Sequence, residues 1–275
     1  MLTTGNVQPG KAEQVDAANG ASGVEQLLVS TDPPYYDNIG YAALSDFFYV
    51  WLRRSLGDLY PELFSTMLVP KMRELTAAPE HFDGDKQKAK EHFESGFRHA
   101  FSKLRNRLDP RFPLTVYYAF KQNDDEEAGG GDEDEANGSV DLTTGWETLL
   151  EALISSGFTI TATWPVRASQ TWRMVSMGTN ALASYIVLAC RQRPTDAPRV
   201  GRNAFVAELK RELPSALHHL QQGNVAPVDF AQAAIGPGMA VFSRYAAVLE
   251  SSGKPMSVRT ALALIHGLKD ELLGE

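Results

Sequence analysis

The chain has 275 residues, 43% of them hydrophobic, which is enough for one large core or for one domain with an appendage. Its formal net charge is -8 and its pI about 5.3, so no global basic field draws it to nucleic acid, although the charge is unevenly spread. A single cysteine, Cys190, excludes an intramolecular disulfide and a cysteine-based metal cluster, and it suits a reducing cytoplasm.

The first twenty residues lack a cationic start followed by an apolar core, so no signal peptide is expected. No apolar run approaches the roughly eighteen residues of a membrane span, and a soluble, cytoplasmic protein is expected. Residues 1–23 are rich in Gly, Ala, Asn and Gln, with one short candidate element at Glu13–Ala17. "VEQLLVST" (24–31) then reads as a buried strand that stops at Asp32-Pro33-Pro34-Tyr35-Tyr36. "AALSDFFYVWLRRSLGDL" (42–59) is helical, with Leu44, Phe47, Phe48, Trp51, Leu52 and Leu56 recurring at three and four, and Ser45 or Asp46 as its cap. Residues 84–108 form a second, strongly charged helix with Phe93, Phe97, Phe101, Leu104 and Leu108 on one face.

"FPLTVYYAF" (112–120) is a β-branched and aromatic strand. The acidic, glycine-rich run after it has nothing to bury, and residues 123–139 are expected to be a disordered loop. A helix at 144–157, a strand at 158–168, a polar link and a strand at 183–193 follow. This order argues for an α/β layer with a mostly parallel sheet of about five strands, counting the short element near Val15, with the last two strands as an edge hairpin. Beyond the linker "TDAPRVGRN", residues 203–275 show only helical periodicity. The expected division is an α/β portion over 1–195 and a helical extension over 196–275.

A strand that ends in an acid, two prolines and two aromatics builds a rigid platform at its carboxyl end, where open α/β sheets keep their ligands. Such a platform suits methylation of an exocyclic amine, whose lone pair is delocalised into its ring. The Asp32 carboxylate and the Pro33 carbonyl are acceptors that would localise that lone pair. Tyr35 offers a face for a flipped base, a contact worth roughly 1–3 kcal/mol. The six histidines lack metal-ligand spacing with acids or cysteine. The basic positions from Lys86 to Arg111 form the one local positive concentration.

"DPPY" after an apolar strand resembles the catalytic motif of N6-adenine and N4-cytosine DNA methyltransferases. The blocks "STDPPYYDNIGYAALSDFFYVWLRRSL", "FPLTVYYAFKQ", "TGWETLLEALISSGFTITATWPVRA", "GTNALASYIVLACR" and "AQAAIGPGMAVFSRY" extend the likeness over roughly residues 12–268. Together they resemble the large bacterial adenine-specific DNA methylases. The resemblance implies a partial Rossmann-like, S-adenosylmethionine-dependent methyltransferase sheet, acting on DNA at the adenine N6 amine. It implies Asp32, Pro33, Pro34 and Tyr35 as catalytic residues, and Asp16, Ala17 and Asp32 beside the cofactor. Tyr35, Tyr36, Asn38, Arg167 and Asn180 would lie beside the substrate, and no metal is implied.

The glycine-rich cofactor loop of that family is not found: Gly5, Gly10, Gly20 and Gly23 do not follow a strand and open a helix. The chain resembles the C-terminal portion of a longer or split methylase, and an upstream chain is the expected partner. Two other readings stay open, a non-catalytic remnant or partner subunit, and a methyltransferase of RNA or protein glutamine.

Overall fold

A computed structural model describes residues 13, 15–17, 26–36, 40–118, 138–167, 184–222 and 227–273. The order is β1 (Ser30–Thr31), α1 (Tyr41–Leu56), a 3-10 turn (Pro79–Phe82), α2 (Lys86–Arg107), β2 (Leu114–Tyr118), α3 (Gly138–Ser155), β3 (Phe158–Arg167) and β4 (Ser184–Gln192). Then come β5 (Arg199–Gly201), α4 (Arg202–Gln222), α5 (Pro227–Ser243), β6 (Ala247–Leu249) and α6 (Val258–Leu273). The protein is mixed α/β. No helix among the described residues is long and apolar enough to cross a membrane.

Among the described residues the main sheet has four strands in the order β1-β2-β4-β3. β1 pairs parallel to β2, whereas β4 is antiparallel to both β2 and β3. Three strands therefore run the same way with one reversed strand between two of them. This corrects the mostly parallel expectation, since two of the three pairings are antiparallel. The expected hairpin of β3 and β4 is present. The element near Val15 is not a strand: residues 15–17 carry no strand or helix assignment.

β1 is shorter than expected because Gln26 stands at φ 60 and Leu27 is bound to the α2–β2 connection instead of to a ladder. Leu27 N–H donates to the Arg107 carbonyl (2.8 Å), and Asp109 N–H donates to that of Leu27 (2.9 Å). α3 begins at Gly138, earlier than the expected 144, so residues 138–139 of the expected acidic loop open a helix. Residues 123–137 of that loop lie outside the described residues.

The core is one connected apolar cluster. α2 turns Phe93, Phe97 and Phe101 inward, as its spacing predicts, and Asp85 caps its start by accepting from Gln87 N–H and Lys88 N–H. α3 supplies Trp146, Leu149, Leu150 and Leu153, and Gly157 at φ +83 reverses the chain into β3. The tail joins the same core. Its α4 buries Phe205, Leu209, Leu213 and Leu217, and α5 lies against β3. A side chain at Gly236 would collide with Thr163, which is why α5 can approach so closely. Ser243 at the end of α5 accepts from Ile160 N–H at 2.9 Å through its hydroxyl, giving β3 an outward partner.

The tail is not purely helical: β5 and β6 pair in parallel as a separate small sheet. Three-residue strands are too short to show a period. Among the described residues, no strand pairs with the free side of β1.

Candidate active site

The strand directions bring four chain segments to one edge of the sheet. Asp32–Tyr36 follows β1, Tyr118 ends β2, Arg167 ends β3, and Ser184 and Tyr185 begin β4 opposite Arg167. This is the edge at which a parallel arrangement collects loops and ligands.

A cavity of about 650 Å³ opens beside it. Its wall joins Asp16 and Ala17 to Asp32, Pro33 and Pro34, with Tyr41 from the start of α1 and the return segment around Arg73, Glu74 and Leu75. Asp32 is exposed at this wall, and Pro33 and Pro34 are half-buried.

Tyr35 is set among three other tyrosines. Its ring centroid lies 5.5 Å from that of Tyr118, 6.4 Å from Tyr41 and 6.5 Å from Tyr185. None of these contacts is a parallel stack. Two are edge-on, at 87° and 71°, and the third is tilted at 38°. Burial pushes the Tyr35 phenol well above its ordinary range. The hydrogen bond it donates to Tyr185 and the charges of Tyr185, Asp32 and Tyr41 push the same way. Tyr35 is therefore a neutral ring at physiological pH. Burial also raises Tyr41, although the Tyr35 backbone N–H, donating to its hydroxyl, opposes that shift.

Tyr36 faces inward. Its ring meets Phe93 edge-on at 5.0 Å, and a Cβ on Gly145 would stand 2.8 Å from its own. Its carbonyl accepts from Ala77 N–H at 2.6 Å. The return segment is thus joined to the DPPY strand end.

Glu74 was not singled out by any sequence pattern. One of its carboxylate oxygens accepts from Ala42 N–H at 3.1 Å, capping α1 from 32 residues away. The other oxygen is buried without a hydrogen-bond partner among the described residues. His92 Nε2 donates to the Glu74 carbonyl at 2.9 Å. The expected caps play no such part: Gly40 precedes α1 with no side-chain cap bond. Asp46 instead accepts from Val69 N–H (2.9 Å) and pairs with Lys71 (2.7 Å), tying α1 to the segment that follows it. Tyr41, at the start of the same helix, lines the cavity.

Asn38 and Asn180 lie outside the described residues. Arg167 is placed only as the last residue of β3, and its side chain lies outside the described set. Two members of the basic concentration serve the fold, with Arg105 donating to the Gly157 carbonyl (3.2 Å) and Arg111 gripping Asp109.

A cavity of about 690 Å³ between β3, α4 and α5 is as large. Its charged groups already satisfy one another: Arg244 donates to both Glu212 oxygens at 2.9 and 2.7 Å, and Arg211 pairs with Glu208 and Glu212. Size does not separate the two cavities, but chemistry does. Comparison with family models, curated proteins and solved structures gives no match for this chain.

Proposed function

We propose that this chain is the catalytic portion of an S-adenosylmethionine-dependent DNA methyltransferase acting on the exocyclic N6 amine of adenine. One observation carries the reading. Asp16-Ala17 and Asp32-Pro33-Pro34, marked independently by the family resemblance, line one cavity.

The residues fit one side of the cofactor. A volume of about 650 Å³ is within the range of small-molecule sites, and Asp16 and Glu74 offer acceptors to hydroxyl or ammonium donors. Val15, Pro33, Pro34 and Leu75 offer apolar contact. No glycine-rich loop for the methionine end is found in the sequence, and in this reading that end of the cofactor falls to an upstream segment or chain.

When bound, the cofactor supplies an electrophilic methyl group. Asp32 and the Pro33 carbonyl accept from the target amine and orient its lone pair. The two prolines hold those acceptors in place before substrate arrives, so little reorganisation is needed at the moment of reaction. Tyr35, kept neutral by burial and set among three other tyrosines, presents an aromatic surface to the flipped base.

The missing glycine loop favours a second reading, a subunit that keeps the pocket without turnover. Calorimetric titration with S-adenosylmethionine separates the two. Weak or absent binding by the chain alone, restored together with methyl transfer by an upstream methylase chain, supports the split enzyme. Binding restored without any transfer supports the subunit. In the assembled enzyme Asp32→Ala removes most turnover and spares cofactor affinity. Unchanged methylation in that variant would sink the mechanism.

A further inference from the structure

α1 is amphipathic in the inverted sense. Leu44, Phe47, Phe48, Trp51 and Leu52 follow the i, i+3, i+4, i+7, i+8 spacing of a core-facing stripe. That stripe points outward: Phe47 is 69% exposed, Phe48 65% and Trp51 62%. The polar side is the one held by the protein. Tyr49 Oη donates to the Thr66 carbonyl (3.0 Å), Arg53 Nε donates to that of Phe64 (3.2 Å), and Asp46 takes Val69 and Lys71. The return segment adds exposed Leu59, Met67 and Met72 to the same unit. Among the described residues, α1 makes no more than glancing contact with any other helix or strand.

We infer that this surface is where a second copy of the chain docks, α1 against α1 about a two-fold axis. Three observations select that occupant. The first is area. At about 150–250 Å² per aromatic side chain, Phe47, Phe48 and Trp51 alone offer roughly 400 Å². That is half of what a standard interface takes from each partner, and the neighbouring aliphatic residues supply the rest.

The second is shape. A straight stripe at this spacing fits another helix, and an isologous contact places the same stripe on both sides. The third is charge. Residues 41–73 carry Arg53, Arg54, Lys71 and Arg73 against Asp46, Asp58 and Glu62, so this unit is nearly neutral within a chain of net charge -8. Two copies meet there without the repulsion of the whole, and the unit has no basic field to select an anionic lipid or nucleic acid.

Sedimentation velocity over a wide concentration range tests this directly. The expected species has twice the 30.2 kDa mass of the chain. The double variant Phe48→Glu/Trp51→Glu weakens association by roughly thirtyfold or more, with an unchanged far-UV spectrum because the stripe supports no core. Phe48→Cys provides a second measurement. Cys190 is buried, so oxidative cross-linking of that variant into a covalent dimer reports the new thiol alone. A wild-type chain that stays monomeric at every concentration overturns the inference. So does a dimer that survives the double variant and yields no cross-link, or an apolar stripe that partitions into neutral vesicles in place of dimerising.

Discussion

α1 and α4 each carry an apolar stripe, with opposite fates. Phe205, Leu209, Leu213 and Leu217 recur at every fourth residue along α4, and Leu44, Phe47, Phe48 and Trp51 follow the three-four spacing along α1. On α4 the four lie between 0% and 3% exposed, covered by α5 and α6, and Phe205 meets Phe242 edge-on at 5.5 Å. On α1 the stripe faces solvent. A helical period states that a face is to be covered; it does not say whether the cover belongs to the same chain.

The sharpest way to break this comparison is to truncate one aromatic on each helix. Phe205→Ala is expected to cost about 3–5 kcal/mol of unfolding free energy in urea titration. Phe48→Ala, measured in dilute monomer, is expected to stay within about 0.5 kcal/mol. Equal losses would show that α1 is packed on the core after all. Next in size is Gly236→Ala. It pushes α5 off Thr163 and is expected to cost about 1–3 kcal/mol, with the loss visible in thermal melts.

Glu74→Ala removes a cap donated from another segment and is expected to cost about 0.5–2 kcal/mol. Hydrogen exchange should localise the loss to the first turn of α1 and leave α4 unchanged. Faster exchange in both helices would mean that Glu74 supports the whole fold.

The smallest effect is that of pH. Arg244, donating to Glu212, holds that carboxyl down at about 2, with help from Arg211. A depressed folded-state value stabilises the protein above the ordinary carboxylate range, and that stability is lost as pH falls from there toward 2. Denaturation curves between neutral and acid pH should therefore fall less steeply for Glu212→Gln than for wild type. His266 adds a shallower dependence in the same direction. Burial, with nearby Lys269, lowers its imidazole, so stability present above its ordinary range declines as pH drops below it.

Much of this was legible in the sequence. The aromatic face of α2, the β3–β4 hairpin and the strand end at Asp32 follow from period and from residues that cannot continue a ladder. What stayed hidden depends on which segments meet. Nothing in "PKMRELTAAP" says that Glu74 returns to the start of α1, and nothing in "ASYIV" says that Tyr185 stands beside Tyr35. β5 and β6, at three residues each, are defined only by one another. The cavity's second wall is likewise a product of chain return, not of any motif.

β4, although later in the chain than β3, lies between β3 and β2, with Leu114 facing Cys190, 76 positions further along the sequence. A ribosome that has released residues up to Arg167 has therefore made a strand with no neighbour to join. During that interval the nascent chain holds ten residues of unmatched β3, among them Phe158 and Ile160, which end almost wholly buried. Pairing over such a distance is slow, and an unjoined apolar strand is a ready target for chaperones or for other nascent chains. Synthesis of the next two dozen residues, through Gln192, sets how long that exposure lasts.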